Sequence, residues 1–302
     1  MGNMIDIICA LCGKKQQVET LYLSTLEKKD ISLNIYSARR IPDKVHYRIL
    51  KCTNCGLIFS SPILPIKQTN KFYRESLCNY AEQIPFLIKT YMKILDKIKN
   101  NLPQNPKVLE VGCGNGFFLK ELSVKGITNQ IFGVEPSSRM VSQANKVLKK
   151  RIKKDVFRSN QFPKSNFDLI CSFHTLDHMI DPSEFVSESF SLLKIGGFAL
   201  VVVHDTDGLS VRLFGERSPI FDIEHIYLFN KKTLRELFIK HGFKVIDVFD
   251  IFNTYPVSYW WNMSGLPKSV KRTGNYIIGK LRIGKLNLTL PAGNIGIIAK
   301  KA

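Results

Sequence analysis

Four cysteines form two Cys-x-x-Cys pairs, Cys9 with Cys12 and Cys52 with Cys55, each followed directly by glycine, Gly13 and Gly56. Thiolates spaced this way in a tight turn can both reach one ion at about 2.3 Å, so the two pairs suit a closed tetrahedral Zn2+ site. With four protein ligands and no place for water, such a zinc is structural; a redox dithiol is the alternative reading. A second constellation lies in Val108-Leu109-Glu110-Val111-Gly112-Cys113-Gly114-Asn115-Gly116, three glycines spaced by two after an apolar run. Glycine admits positive φ and close approach of a ligand to the backbone, and a helix beginning there offers unpaired N–H groups to a polar head. Downstream, Val134-Glu135-Pro136 sets a carboxylate where it can accept both hydrogen bonds of a ribose diol, while its charge disfavours a 2′-phosphate. The dinucleotide fingerprint is spaced differently, its third glycine one residue further on.

These groups need elements to hold them. Apolar spacings of three and four over residues 84–101 predict an amphipathic helix that ends before Pro103. Beyond it, strands are expected over 107–113, 130–135, 167–173, 197–204, 243–252 and 294–299. Helices are expected over 117–124, 140–149, 182–193 and 231–241, the last closed by Gly242. This alternation argues an α/β fold with a doubly wound, Rossmann-like sheet. Between the cysteine pairs, 20–35 and 46–50 read as short strands, giving a small zinc-ribbon-like N-terminal lobe. The expected division is a zinc-binding lobe over 1–75, a linking helix over 76–104 and the α/β domain over 105–302, with 253–290 an insert before the last strand.

The chain has 302 residues, 44% of them hydrophobic, and a net charge of +19. That composition excludes a disordered chain or a disulfide-stapled peptide. The longest strongly apolar stretch, residues 198–203, is far too short to span a bilayer, and the start does not resemble an export signal, so a cytoplasmic location is expected. The charge favours an anionic partner; after Asp250 there is no acid and there are eight basic residues. A contact of the basic stretch 268–285 with anionic lipid is a minor alternative to a merely solvated face.

The run from Glu110 to Gly116, with Glu135 after the second strand, is similar to the first two motifs of the class I S-adenosylmethionine-dependent methyltransferases. That resemblance implies that the glycine loop cradles the methionine moiety and that Glu135 grips the ribose. The implied cofactor set is Glu110, Gly112, Cys113, Gly114, Gly116, Glu135, Pro136, Phe173 and His174, with Asp155 or a neighbour in 154–157 beside the adenine. The segment Tyr47 to Phe59, with Pro62 and Phe72-Tyr73, resembles the zinc-binding N-terminal lobe of a bacterial and archaeal subgroup. His174-Thr175-Leu176-Asp177-His178 looks like that subgroup's His-x-x-Glu-His motif, and His225-Ile226-Tyr227-Leu228-Phe229 like a later one. The subgroup includes sugar C-methyltransferases acting on nucleotide-linked sugars. Asp177 departs from the motif's glutamate, and the extra C-terminal domain of those enzymes is not expected here.

A sulfonium methyl is already electrophilic, so its transfer needs an aligned nucleophile, exclusion of water and often a base. Histidine suits that task near neutral pH. His178, just past the strand over 167–173 and next to Asp177, is the expected base, with substrate binding or a helix cap as its other roles. His225 is expected at the substrate mouth and His174 at the cofactor. His46, His204 and His241 receive no role, although His204 ends a strand facing the same crevice, and Tyr73 and Tyr80 either reach the pocket or pack. The expectation is methyl transfer to a small anionic acceptor such as a nucleotide sugar, glycan or secondary-metabolite intermediate. An RNA methyltransferase and a non-catalytic S-adenosylmethionine-binding protein are the rivals.

Overall fold

The computed structural model describes residues 4–32, 36, 43–75, 81–291 and 293–302; Tyr80 and the end of the strand expected over 20–35 lie outside them. In the N-terminal lobe, β1 (Val18–Tyr22), β2 (Ile49–Cys52) and β3 (Ile58–Ser60) pair antiparallel and lead into α1 (Ile66–Glu75). The strand expected from residue 20 stops at Tyr22. Beyond it the Ser24 hydroxyl bonds the His46 carbonyl and the Leu26 N–H, a local pairing that competes with a ladder. α2 (Ile84–Asp96) is shorter than expected and is followed by a 3-10 turn, Lys99–Asn101, with Leu102 extended before Pro103.

The α/β part then runs β4 (Val108–Val111), α3 (Phe117–Val124), β5 (Ile131–Val134), α4 (Ser138–Gln143), α5 (Lys146–Lys149), β6 (Ile152–Lys153), β7 (Phe167–Phe173), α6 (Pro182–Leu192) and β8 (Leu193–His204). The single helix expected over 140–149 is two, because Ser137 caps α4 through the Met140 N–H and Asn145 caps α5 through the Leu148 N–H. There follow α7 (Leu209–Phe214), β9 (Tyr227–Leu228), α8 (Lys231–Lys240) and β10 (Phe243–Asp250). The insert is a hairpin of β11 (Asn253–Pro256) and β12 (Asn287–Leu290) carrying α9 (Val257–Met263) and α10 (Lys268–Lys280), and β13 (Asn294–Lys301) ends the fold.

Seven strands form one twisted sheet in the order β10-β13-β8-β7-β4-β5-β6, in which β13 alone runs antiparallel to its neighbours. β4, β7 and the 197–203 stretch of β8 are buried almost throughout, which is why they read as continuous apolar runs. One core face packs α2 and α3; the other joins Phe167, Val201 and Leu237 to lobe residues Leu50, Phe59 and Ile63. The lobe is also tied in by backbone: β9 is the fourth strand of its sheet, with Ile58 opposite Leu228 and Phe59 opposite Tyr227. Among the described residues no helix is long and apolar enough to cross a membrane.

Candidate functional site

Parallel pairing of Val111 with Val134 brings the glycine loop beside Glu135 at the carboxyl ends of β4 and β5. Gly112 has φ +74°, and a Cβ there would lie 2.1 Å from the Thr175 hydroxyl, so the loop accepts no side chain at that point. Glu135 is buried and accepts the N–H of Gly114 at 2.9 Å and of Ser137 at 2.8 Å. Burial raises its pKa, and those two N–H groups partly counter the rise. Glu110 is also buried, its Oε2 accepts no hydrogen bond, and burial together with the charge of Glu135 pushes its pKa well up.

These groups line a cavity of about 500 Å3 whose walls include Glu110, Gly112, Gly114, Glu135, Pro136, Phe173 and His174. Tyr91 stacks on Phe173 with ring centres 4.0 Å apart, giving an apolar floor, and Thr69 and Tyr73 of α1 with Tyr36 cover it from the lobe. Three expected cofactor residues sit differently. The Cys113 thiol turns into the core, where only glycine at position 133 leaves it room: a Cβ there would be 2.5 Å from its sulfur. Gly116 starts α3 behind the loop, with φ +74°. Asp155 points away toward Arg74 and Arg158, at 3.4 and 3.5 Å, and Val156, Phe157 and Arg158 line the cavity in its place. Size, a side-chain-free loop, a carboxylate pair and an unbonded buried oxygen fit a nucleoside with an amino-acid tail.

At one end of this cavity stand four histidines. His174 follows β7, His178 closes a 3-10 turn over Leu176–His178, His204 ends β8 and His225 precedes β9. Ring centres are 4.9 Å apart for His174 and His204, 4.3 Å for His204 and His225, and 4.8 Å for His178 and His225. Asp177 lies fully buried beneath them and lines neither cavity. Its Oδ2 bonds His204 Nδ1 at 2.5 Å and the His204 N–H at 3.3 Å, whereas its Oδ1 is 3.9 Å from His178 Nε2. Asp177 therefore orients His204, a residue to which the sequence assigned no role, more strongly than its neighbour His178. Burial opposes ionisation of Asp177, but the surrounding His204, His178 and His225 rings overcome it and hold the carboxyl well below the usual range.

His225 Nδ1 lies 2.7 Å from the Ile220 carbonyl, which can only accept, so that nitrogen carries the proton. Burial, reinforced by His204, lowers the His225 pKa, so the ring is neutral near pH 7 with its lone pair on Nε2. Tyr73 donates to the Glu224 carbonyl at 3.2 Å and stands 3.3 Å from His178 Nδ1, tying the lobe to the histidine cluster. Glu224, adjacent to His225, was not anticipated; its place directly before a histidine expected at the mouth was the available signal.

A second cavity, of about 360 Å3, opens on the other side of the histidines. Leu209 and Leu213 of α7, Tyr255 of β11, Tyr259, Trp260 and Met263 around α9, and Leu290 of β12 supply its wall; Asp222, Glu224 and Asn253 add polar groups. No lysine or arginine lines it, among the described residues. The two cavities share His174, His178 and Glu224.

Four cysteines meet in the lobe. Cys9 Sγ lies 3.3 Å from Cys55 Sγ and Cys12 Sγ 3.5 Å from Cys52 Sγ, and all four sulfurs lie within 4.8 Å of one another. A tetrahedron with sulfur about 2.3 Å from zinc has edges near 3.8 Å, so the cluster fits a four-thiolate metal. Burial pushes the Cys55 thiol up to about 11; it acts on Cys12 too, but the Lys14 N–H and neighbouring thiols bring that thiol down to about 7.

A family model described as a methyltransferase domain matches residues 80–248, more than half of the chain. A Mycolicibacterium smegmatis protein named as an S-adenosylmethionine-dependent methyltransferase is 27% identical over 150 residues, 48% of this chain and 55% of its own length. A tRNA U34 carboxymethyltransferase of Idiomarina loihiensis is 26% identical over 155 residues, covering 48% of this chain and 47% of its own. The chain thus spans about half the length of the curated relatives it matches. A Bacillus halodurans structure named as a methyltransferase superposes with a TM-score of 0.50 at 16% identity, over 70% of this chain and 99% of its own, a likeness of fold.

Proposed function

Because the chain belongs to the methyltransferase-domain family, we propose that it transfers a methyl group from S-adenosylmethionine, held in the first cavity, to an acceptor held in the second. The observation that carries this reading is the seam: two cavities of different chemistry meet at His174, His178 and Glu224. When bound, S-adenosylmethionine supplies an electrophilic methyl. The Gly112 loop offers its backbone, Glu135 offers the lone pairs left by its two N–H partners to a diol, and Glu110 offers its unbonded oxygen to an ammonium group. Neutral His225 accepts the acceptor's proton at Nε2, His178 flanks the same point, and Asp177 positions His204 to keep the cluster in register. The lobe, pinned by four cysteines around a structural zinc, excludes water by laying Tyr36 and Tyr73 over the first cavity.

The acceptor differs from the small anion that overall charge suggested. Among the described residues no lysine or arginine lines the second cavity, and those of the insert other than Lys271 lie on its outer surface. A hydroxyl-bearing ring on an apolar body fits better: Asp222, Glu224 and Asn253 suit hydroxyl groups, and Tyr255, Tyr259 and Trp260 suit a hydrocarbon or ring face. A sugar remains compatible with that floor, whereas a nucleotide diphosphate finds no lysine or arginine among its described residues.

The test is transfer of labelled methyl from S-adenosylmethionine into fractionated cell extract. Wild type should label an organic-extractable product. His225→Gln should lower turnover roughly 100- to 10,000-fold while binding S-adenosylhomocysteine as wild type does. Labelling that survives His225→Gln undiminished would contradict the assignment.

A further inference from the structure

The insert over 253–290 carries an apolar and basic outer surface at the mouth of the second cavity. It holds six basic residues and no acid. Lys271 turns inward, its ammonium on the Asn262 carbonyl at 2.7 Å; Lys268, Arg272, Lys280, Arg282 and Lys285 are exposed. Val270 and Ile277 of α10 and Leu281, which caps its end, follow at intervals of seven and four, so they share one flank of the helix, and all three are exposed, Leu281 by 60%. Tyr276 is 71% exposed beside them. Gly274, four residues after Val270 and three before Ile277, lies on the same side of α10 and is packed: a Cβ at Gly274 would meet the Trp261 ring at 2.0 Å, and Trp261 donates to the Lys271 carbonyl. The apolar flank thus borders the line along which α10 is seated on Trp261, and it stays exposed beside it.

The rim of the second cavity exposes apolar side chains as well. Leu209 and Leu213 of α7 line the second cavity and are yet 42% and 65% exposed, which puts them at its rim. Leu288, exposed, shares the face of β12 with Leu290, which lines the cavity.

We propose that the insert seats on an anionic phospholipid surface, with the α10 flank among the headgroups and the mouth of the second cavity turned to the bilayer. Cations around exposed aliphatic and aromatic side chains are what such a surface attracts and buries. An RNA partner would use the charges but would leave Ile277, Leu281 and Leu213 in water. The further step, that the acceptor's apolar body enters from the lipid, rests on the function proposed above; seating on the membrane does not.

Vesicle sedimentation tests it, using the whole chain. Vesicles of phosphatidylcholine with about 30 mol% phosphatidylglycerol should bind at least roughly tenfold more protein than phosphatidylcholine alone. Ile277→Glu with Leu281→Glu should lower that binding about tenfold or more while S-adenosylhomocysteine affinity, the control for folding, stays unchanged. A second variant, Arg272→Gln with Lys280→Gln, should reduce only the preference for phosphatidylglycerol. No sedimentation, equal binding by the Glu variant, self-association through α10 in place of vesicle binding, or retention of a single-stranded RNA with vesicles ignored would each overturn the proposal. Absent vesicle binding with methyl transfer intact would leave the enzymatic reading standing and remove only this one.

Discussion

The first cavity takes its polar contacts from backbone and carboxylates at the ends of two parallel strands, Gly112 and Gly114 after β4 and Glu135 after β5. The second takes its lining from side chains on α7, α9, β11 and β12, elements separated by long stretches of chain. Strand ends are held by ladder bonds and a core buried on both faces, so the first site is rigid and tolerates little. The insert can change side chains freely without disturbing the sheet. The difference teaches where specificity sits in this molecule: the donor end is written in backbone geometry, the acceptor end in replaceable side chains.

After loss of the His225 base, breaking the seam itself should produce the largest effect. His178→Gln should cut kcat about 100- to 1,000-fold with S-adenosylhomocysteine affinity unchanged, measured by single-turnover methyl transfer beside calorimetry; loss of both together would make His178 a donor-site residue instead. Next comes Gly112→Val. Left-handed backbone and overlap with Thr175 together cost roughly 2–4 kcal/mol, so donor affinity should fall on the order of 100-fold. Asp177→Asn leaves the His204 pair without its buried anion, and thermal unfolding should show a loss of about 2–4 kcal/mol; a stability equal to wild type would show that the 2.5 Å bond contributes nothing.

The pH dependence sharpens the same contrast. His225 has a folded-state pKa below its ordinary 6.5, so as pH falls past that value the unfolded chain gains a proton the folded ring refuses, and stability declines. Activity should keep rising with pH up to an acid-limb value below 6.5 and level off above it. Asp177, held low, adds stability that is complete above the ordinary carboxylate range and is lost only as pH falls below it. An acid limb above the ordinary imidazole value would contradict a neutral His225. The smallest effect belongs to the second cavity's wall: Trp260→Ala should raise acceptor KM by roughly 5- to 20-fold and leave donor affinity within about twofold.

The same division decided what was legible in the sequence. β4, the glycine loop and α3 fall where the sequence places them, because a strand buried on both faces and a loop that needs positive φ leave marks at each residue. The four cysteines converge because their spacing, with Gly13 and Gly56 at positive φ, dictates the turn locally. The bond between Asp177 and His204 was hidden, since a crossover through α6 brings together residues 27 positions apart. β9 is two residues long and borrows its partner from the lobe, too brief for any pattern. The insert hid its helices because α10 packs through a glycine, Gly274 under Trp261, while Val270 and Ile277 on the same side stay exposed, so apolar spacing does not mark a buried face. At Asp155 two arginines draw the carboxylate outward while its neighbours Val156 and Phe157 line the cavity, a difference in side-chain direction that spacing alone does not reveal.

Calorimetric titration with S-adenosylhomocysteine of wild type, Glu135→Ala and Trp260→Ala measures the division of labour between the cavities most directly. One site per chain is predicted, weakened at least about tenfold by Glu135→Ala, the loss of a charge-assisted pair of hydrogen bonds, and indifferent to Trp260→Ala. No binding to wild type, or equal binding by Glu135→Ala, would contradict the assignment of the first cavity to the methyl donor.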